Sequence, residues 1–147
     1  MQSAIESIKK FVRAANYLTV TQIYLQNNVL LKKPLQSSDI KPKIFGHWGT
    51  CPGINFVYAH LNYLIKKHQQ SSIFVLGPGH GFPGLQANLF LEGTLQKYYP
   101  QATHDEKGIT YLSKMFAWPY GFSSHSSPET PGLILEGGEL GYSLASA

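Results

Sequence analysis

Apolar residues recur at helical spacing near the start of the chain. Ile5, Ile8, Phe11 and Val12 fall on one face of residues 4–16, which predicts an amphipathic helix. Residues 18–31 stay apolar with several β-branched positions and predict a second helix, stopped by Lys33-Pro34. Residues 35–46 carry no period and read as a connection. After the glycine-bounded loop GHWGTCPG (46–53), the helical period returns at Ile54, Val57, Tyr58, Leu61, Leu64 and Ile65. The short run Ser72-Ile73-Phe74-Val75-Leu76 predicts a buried strand. Helices are expected again over 84–98 and over 105–117, the latter started by Asp105-Glu106. Residues 118–138 are irregular and rich in Ser, Pro and Gly, and a further helix begins within EGGELGYSLASA.

Helix, loop, strand, loop, helix predicts an α/β fold with helices around a short parallel sheet. Ligands of such sheets bind at the carboxyl ends of strands. The stretch LGPGHGFPG (76–84) occupies such an end. Its glycines would let a ligand, one bearing phosphate, come close at a helix N-terminus. Only one strand stands out, whereas a parallel sheet needs several. The fold is therefore expected to be incomplete at the C-terminus, where the chain stops within a helical pattern.

Composition narrows the class. The 147 residues are 43% hydrophobic and 14% charged, enough to bury the core of one domain spanning 1–147. The net charge of +4 is spread over short pairs such as Lys9-Lys10, Lys32-Lys33 and Lys66-Lys67. Separate pairs do not make the continuous basic surface of a nucleic-acid binder, though an anionic small molecule suits them. Cys51 stands alone, so no intrachain disulfide is possible. No window is apolar enough for a membrane span or a signal peptide, which predicts a soluble cytoplasmic protein.

Candidate chemistry lies in the histidines. His60, His68 and His104 fall in or beside helices and read as surface or packing residues. His47, His80 and His125 sit in loops of Gly, Pro and Ser, where packing gives little reason for an imidazole and acid–base work gives a good one. No spacing matches a structural zinc pattern, and neither GxGxxG nor GxxxxGK[ST] is present. Cys51 reads as an inert thiol.

GHWGT (46–50), PGINFVYAHLN (52–62), GPGHG (77–81), NLFLEG (88–93), Ser124-His125, PETPG (128–132) and EGGELGYSL (136–144) resemble, in content and order, the phosphoketolases. FVRAANYLTVTQIYL (11–25) extends the resemblance upstream. The resemblance implies the N-terminal part of a transketolase-like domain that binds thiamine diphosphate with Mg2+. It implies an aldehyde-lyase that cleaves xylulose 5-phosphate or fructose 6-phosphate with inorganic phosphate, giving acetyl phosphate and an aldose phosphate. The site of that family forms between two subunits, so a homo-oligomer is expected.

By matching position, His47, Thr50, His80 and Gly138 are expected beside the cofactor, His80 and His125 beside the sugar phosphate, and His47, His80 and His125 in catalysis. The metal-binding GDG motif and second domain of the family lie beyond residue 147, so no metal ligands are expected here. The chain alone is expected to be inactive. Phe82, Leu135 and Phe122-Ser123 depart from the family's usual residues, and Phe82 places a bulky ring in the glycine loop. Two readings follow: a segment of a catalytic enzyme, or a non-catalytic shortened product or interaction module.

Overall fold

The structure is a computed structural model that describes residues 3–127, 130 and 131. Helix α1 spans Ala4–Tyr24 and begins on Ser3, whose hydroxyl accepts the Glu6 N–H. It covers in one helix most of what the sequence pattern divides into two. In its β-branched stretch the buried hydroxyls of Thr19 and Thr21 find partners by donating back to the carbonyls of Ala15 and Leu18. That face is buried, which offsets the weak propensity. The helix ends where Leu25 turns extended and bridges Ile40.

Helix α2 (Cys51–His68) and α3 (Phe82–Leu91) pack on α1 and on each other. Every residue from Phe82 to Phe90 is buried. A ten-residue helix is marginal alone, so α3 is held by the core around it. The expected helix over 84–98 is interrupted at Gly93, whose φ of +82° suits glycine, and resumes as the short α4 (Thr94–Tyr98). Helix α5 (Glu106–Met115) starts on Asp105, whose carboxylate accepts the Gly108 N–H at 2.9 Å. It packs against α1.

The expected sheet is not found among the described residues. They hold only two isolated bridges, Leu25–Ile40 and Phe116–Phe122. Residues 72–76 form no strand, because no segment among the described residues offers them a ladder, and Ile73 is 68% exposed. The predicted helix in EGGELGYSLASA lies outside the described residues.

A polar seam runs through the helical core. Asn88 on α3 donates to Asn55 Oδ1 at 2.8 Å, and Asn55 on α2 donates to Asn16 Oδ1 and Thr19 Oγ1 on α1. Gln22 on α1 donates to Pro83 O at 2.9 Å. These bonds fix the register of three helices, since each buried amide must meet its partner. Lys41 is the other buried polar tie. Its amine donates to Gln22 O at 2.7 Å and Phe116 O at 2.9 Å, so it joins the ends of α1 and α5. Burial lowers its pKa to about 8.

Candidate functional site

Two glycine-bounded loops meet in front of α2 and α3. The first carries His47 and the second His80. The His47 N–H donates to His80 O at 3.2 Å. The two imidazoles meet edge to face, with ring centres 4.8 Å apart and planes at 63°. His47 is exposed and His80 half-buried, so both rings remain within reach of a ligand.

Each loop is fixed from behind. The Cys51 thiol donates to His47 O at 3.1 Å. Burial pushes that thiol up to about 11, so it stays protonated and serves as a donor. The reading of Cys51 as an inert thiol thus gains a positive role. Gly46, with φ +93°, brings the first loop in against Pro83 and Ile23. Thr50 heads α2 and is half-buried, and its methyl lies 3.1 Å from where a Cβ on Gly81 would stand.

The third loop joins through one backbone bond, from Ser126 N–H to Gly79 O at 3.4 Å. This sets His125, the residue before Ser126, on a loop docked to GPGHG. Its ring is exposed, with Nδ1 3.1 Å from Ser124 Oγ. The structure therefore brings His47 and His80 into contact, places Thr50 beside the His80 loop, and docks the His125 loop on it. Gly138 lies outside the described residues.

The remaining histidines lie in surface or packing positions. His104 pairs with Phe90 O and lies against the Phe90 ring. His60 holds Phe56 O at 2.8 Å within its own helix. His68 is exposed in the last turn of α2.

Two expectations about the glycine loop change. The start of α3 is not open to an anion, because Phe82, Pro83 and Gly84 are all buried. Phe82 does not crowd the loop either: its ring turns into the core, 2% exposed and 6.4 Å from the Phe116 ring. Asn55 and Asn88, which lock the helices under these loops, were not singled out by sequence. Isolated amides in amphipathic stretches look like surface residues, and only their pairing across helices distinguishes them. Among the described residues, no group of three His, Cys, Asp or Glu side chains is placed to hold a metal ion. No helix among them is long and apolar enough to cross a membrane.

A helical scaffold thus presents two loop histidines in contact beside a glycine-bounded backbone. The chain matches the XFP N-terminal domain over residues 1–147 and belongs to the phosphoketolase family as its N-terminal segment. It is 54% identical over 143 residues to "Probable phosphoketolase 2" of Nostoc sp. and to "Probable phosphoketolase" of Rhodopseudomonas palustris, each covering 97% of this chain. It is 54% identical over 140 residues to "Probable phosphoketolase" of Brucella abortus, covering 95% of this chain. The chain spans 18% of the length of each of these relatives.

Proposed function

We propose that this chain supplies one wall of a thiamine-diphosphate site in a phosphoketolase. The complete enzyme would cleave xylulose 5-phosphate or fructose 6-phosphate with inorganic phosphate to acetyl phosphate and an aldose phosphate. The observation that carries this reading is the contact between His47 and His80, reinforced by the docking of the His125 loop on Gly79. Three motifs far apart in sequence converge where the resemblance expects one site.

The residues present fit the organic part of the cofactor. His47, Thr50 and His80 offer reachable polar groups beside a backbone that glycine keeps narrow, and Gly138 would complete that side. Nothing among the described residues offers the hard oxygen cage that Mg2+ prefers, so the metal with its diphosphate would be held by the rest of the enzyme. When bound, the cofactor supplies the electron sink for carbon–carbon cleavage. The chain's own work is orientation and proton handling. His47 and His80 would be the groups that take or give a proton, and their edge contact sets one ring against the other. His125, on its exposed loop, would meet the phosphorylated sugar.

The finer architecture belongs to the same proposal. Residues 72–76 form an apolar run without a partner among the described residues, with Ile73 outward. In the complete domain this run would join a parallel sheet, and a second subunit would close the site. A cytoplasmic location agrees with metabolic chemistry on sugar phosphates.

The test is a chimaera. This chain is joined to the remaining sequence of the Nostoc relative and assayed for acetyl phosphate with fructose 6-phosphate, phosphate, thiamine diphosphate and Mg2+. Turnover is expected, with a loss of about 10²-fold or more in His80→Ala and His47→Ala at unchanged thermal stability. A folded but inactive chimaera would support the non-catalytic reading. Full activity of both variants would remove the assigned roles. Turnover by the 147-residue chain alone would overturn the requirement for the remainder.

A further inference from the structure

Gln86 is fully buried on α3, yet neither its amide oxygen nor its amide nitrogen has a hydrogen-bond partner among the described residues. The other long amides on this surface of the core behave differently. Asn55 is paired at both ends, and Asn88 and Gln22 each have a paired nitrogen and leave only the oxygen without a partner. A buried amide with both ends unpaired is strongly unfavourable, so a native structure supplies something to pair with it.

Gln86 lines a small cavity of about 50 Å³, together with Tyr99, Ser123, Ser127 and Thr130. The far wall thus comes from the loop that carries His125. In the same loop, Ser126 Oγ is also buried and without a partner. The loop's direct tie to the glycine loop is the long Ser126–Gly79 bond at 3.4 Å.

We infer that Gln86 anchors a hydration site at the buried end of this pocket, in which bound water bridges the α3 amide to the hydroxyls of the His125 loop. Size and charge select the ligand. A water needs roughly 15 Å³ of such space, so the cavity admits a small water cluster. Organic ligands occupy pockets of about 300 Å³ or more, which excludes a sugar or a nucleotide. Among the described residues no Lys, Arg, His, Asp or Glu lines the cavity, which disfavours phosphate or a metal ion. An amide with a free donor and a free acceptor, facing hydroxyls that can do either, suits a molecule that both donates and accepts. Gln86 is then a positioning residue for the loop, acting through water. The inference stands apart from the proposed reaction and can fail without it.

Water-edited NMR on the full 147-residue chain tests this directly. Long-lived cross-peaks from water to the Gln86 side-chain NH2 are expected. Their absence under conditions where that NH2 is resolved would overturn the inference. The second measurement compares Gln86→Met, which keeps the volume and removes the amide, with the parent. Exchange of the Ser126 and Thr130 amides is expected to quicken about tenfold, while those of α1 and α2 hold. A role in packing alone would leave Ser126 and Thr130 unchanged in Gln86→Met, and that result would also overturn it. If the Met variant does not fold, the cross-peaks on the parent still decide.

Discussion

A Cβ placed on Gly81 would stand 2.3 Å from Ile54 Cδ1 and 3.1 Å from Thr50 Cγ2. The loop that carries His80 is thus pressed directly onto the first turn of α2, with no room for a methyl group between them. The φ of Gly81, −81°, is open to any residue, so contact and not backbone strain demands glycine there.

Gly81→Ala is therefore expected to cost about 1–3 kcal/mol in urea unfolding, the usual cost of overpacking. Ile54→Val, which removes the clashing Cδ1, should recover part of that loss when combined with it. A double-mutant cycle reads the coupling. Strict additivity would show that Ile54 is not the obstacle.

Phe82→Ala tests whether that ring belongs to the core. At 2% exposure against Phe116 it should cost about 3–5 kcal/mol. A loss under 1 kcal/mol would return Phe82 to the loop.

Lys41 gives a pH dependence. Its folded pKa, about 8, lies below the ordinary value of 10.5, so between these pH values the unfolded chain holds more of the proton. The Lys41 contribution should rise with pH across that window, by up to about 1.4 kcal/mol per pH unit, while Cys51, raised from 9.0 to about 11, works against it above pH 9. Below pH 8 both states are charged and the contribution becomes flat. Urea midpoints from pH 7 to 10 measure the rise, and Lys41→Met should remove it.

Asp105 acts in the same direction, at acid pH. The Gly108 N–H, followed by the Thr103 hydroxyl, holds its carboxyl below the usual range. Its contribution is complete above the unfolded value, about 3.9, and is lost as pH falls through the lower folded value. Asp105→Asn should lessen the acid sensitivity of α5, seen as a flatter pH profile of amide exchange at Ile109.

Cys51 predicts slow thiol chemistry. With its pKa raised to about 11 and its side chain buried, labelling by a maleimide at pH 7.5 should be far slower in the native chain than in urea. Equal rates would mean that the thiol is not seated on His47 O.

The helices were legible where one face is apolar and the other polar, as at residues 4–16 and 54–65. α3 was legible as a helix, though its period is blurred because every side is buried. The run at 72–76 is only half legible for a related reason. A short apolar run announces burial, but a strand exists only beside another strand, and none is present among the described residues. For the site, loop composition singled out His47, His80 and His125. It could not show that His47 and His80 touch, because that contact depends on how α2 and α3 return the chain to one place. The roles of Thr50 and Gly138 came from the motif resemblance alone. Gln86 left no sequence signal, since a lone glutamine among apolar residues reads equally well as a surface position.

With neighbours on every side, α3 has no neutral surface on which sequence can drift. Changes there must be matched by changes on α1, α2 or α4, whereas the outer faces of α1 and α5 can vary independently. In a deep mutational scan, residues 82–90 should form the least tolerant continuous stretch outside the histidine loops. Surviving substitutions there should come in compensating pairs with residues from other helices.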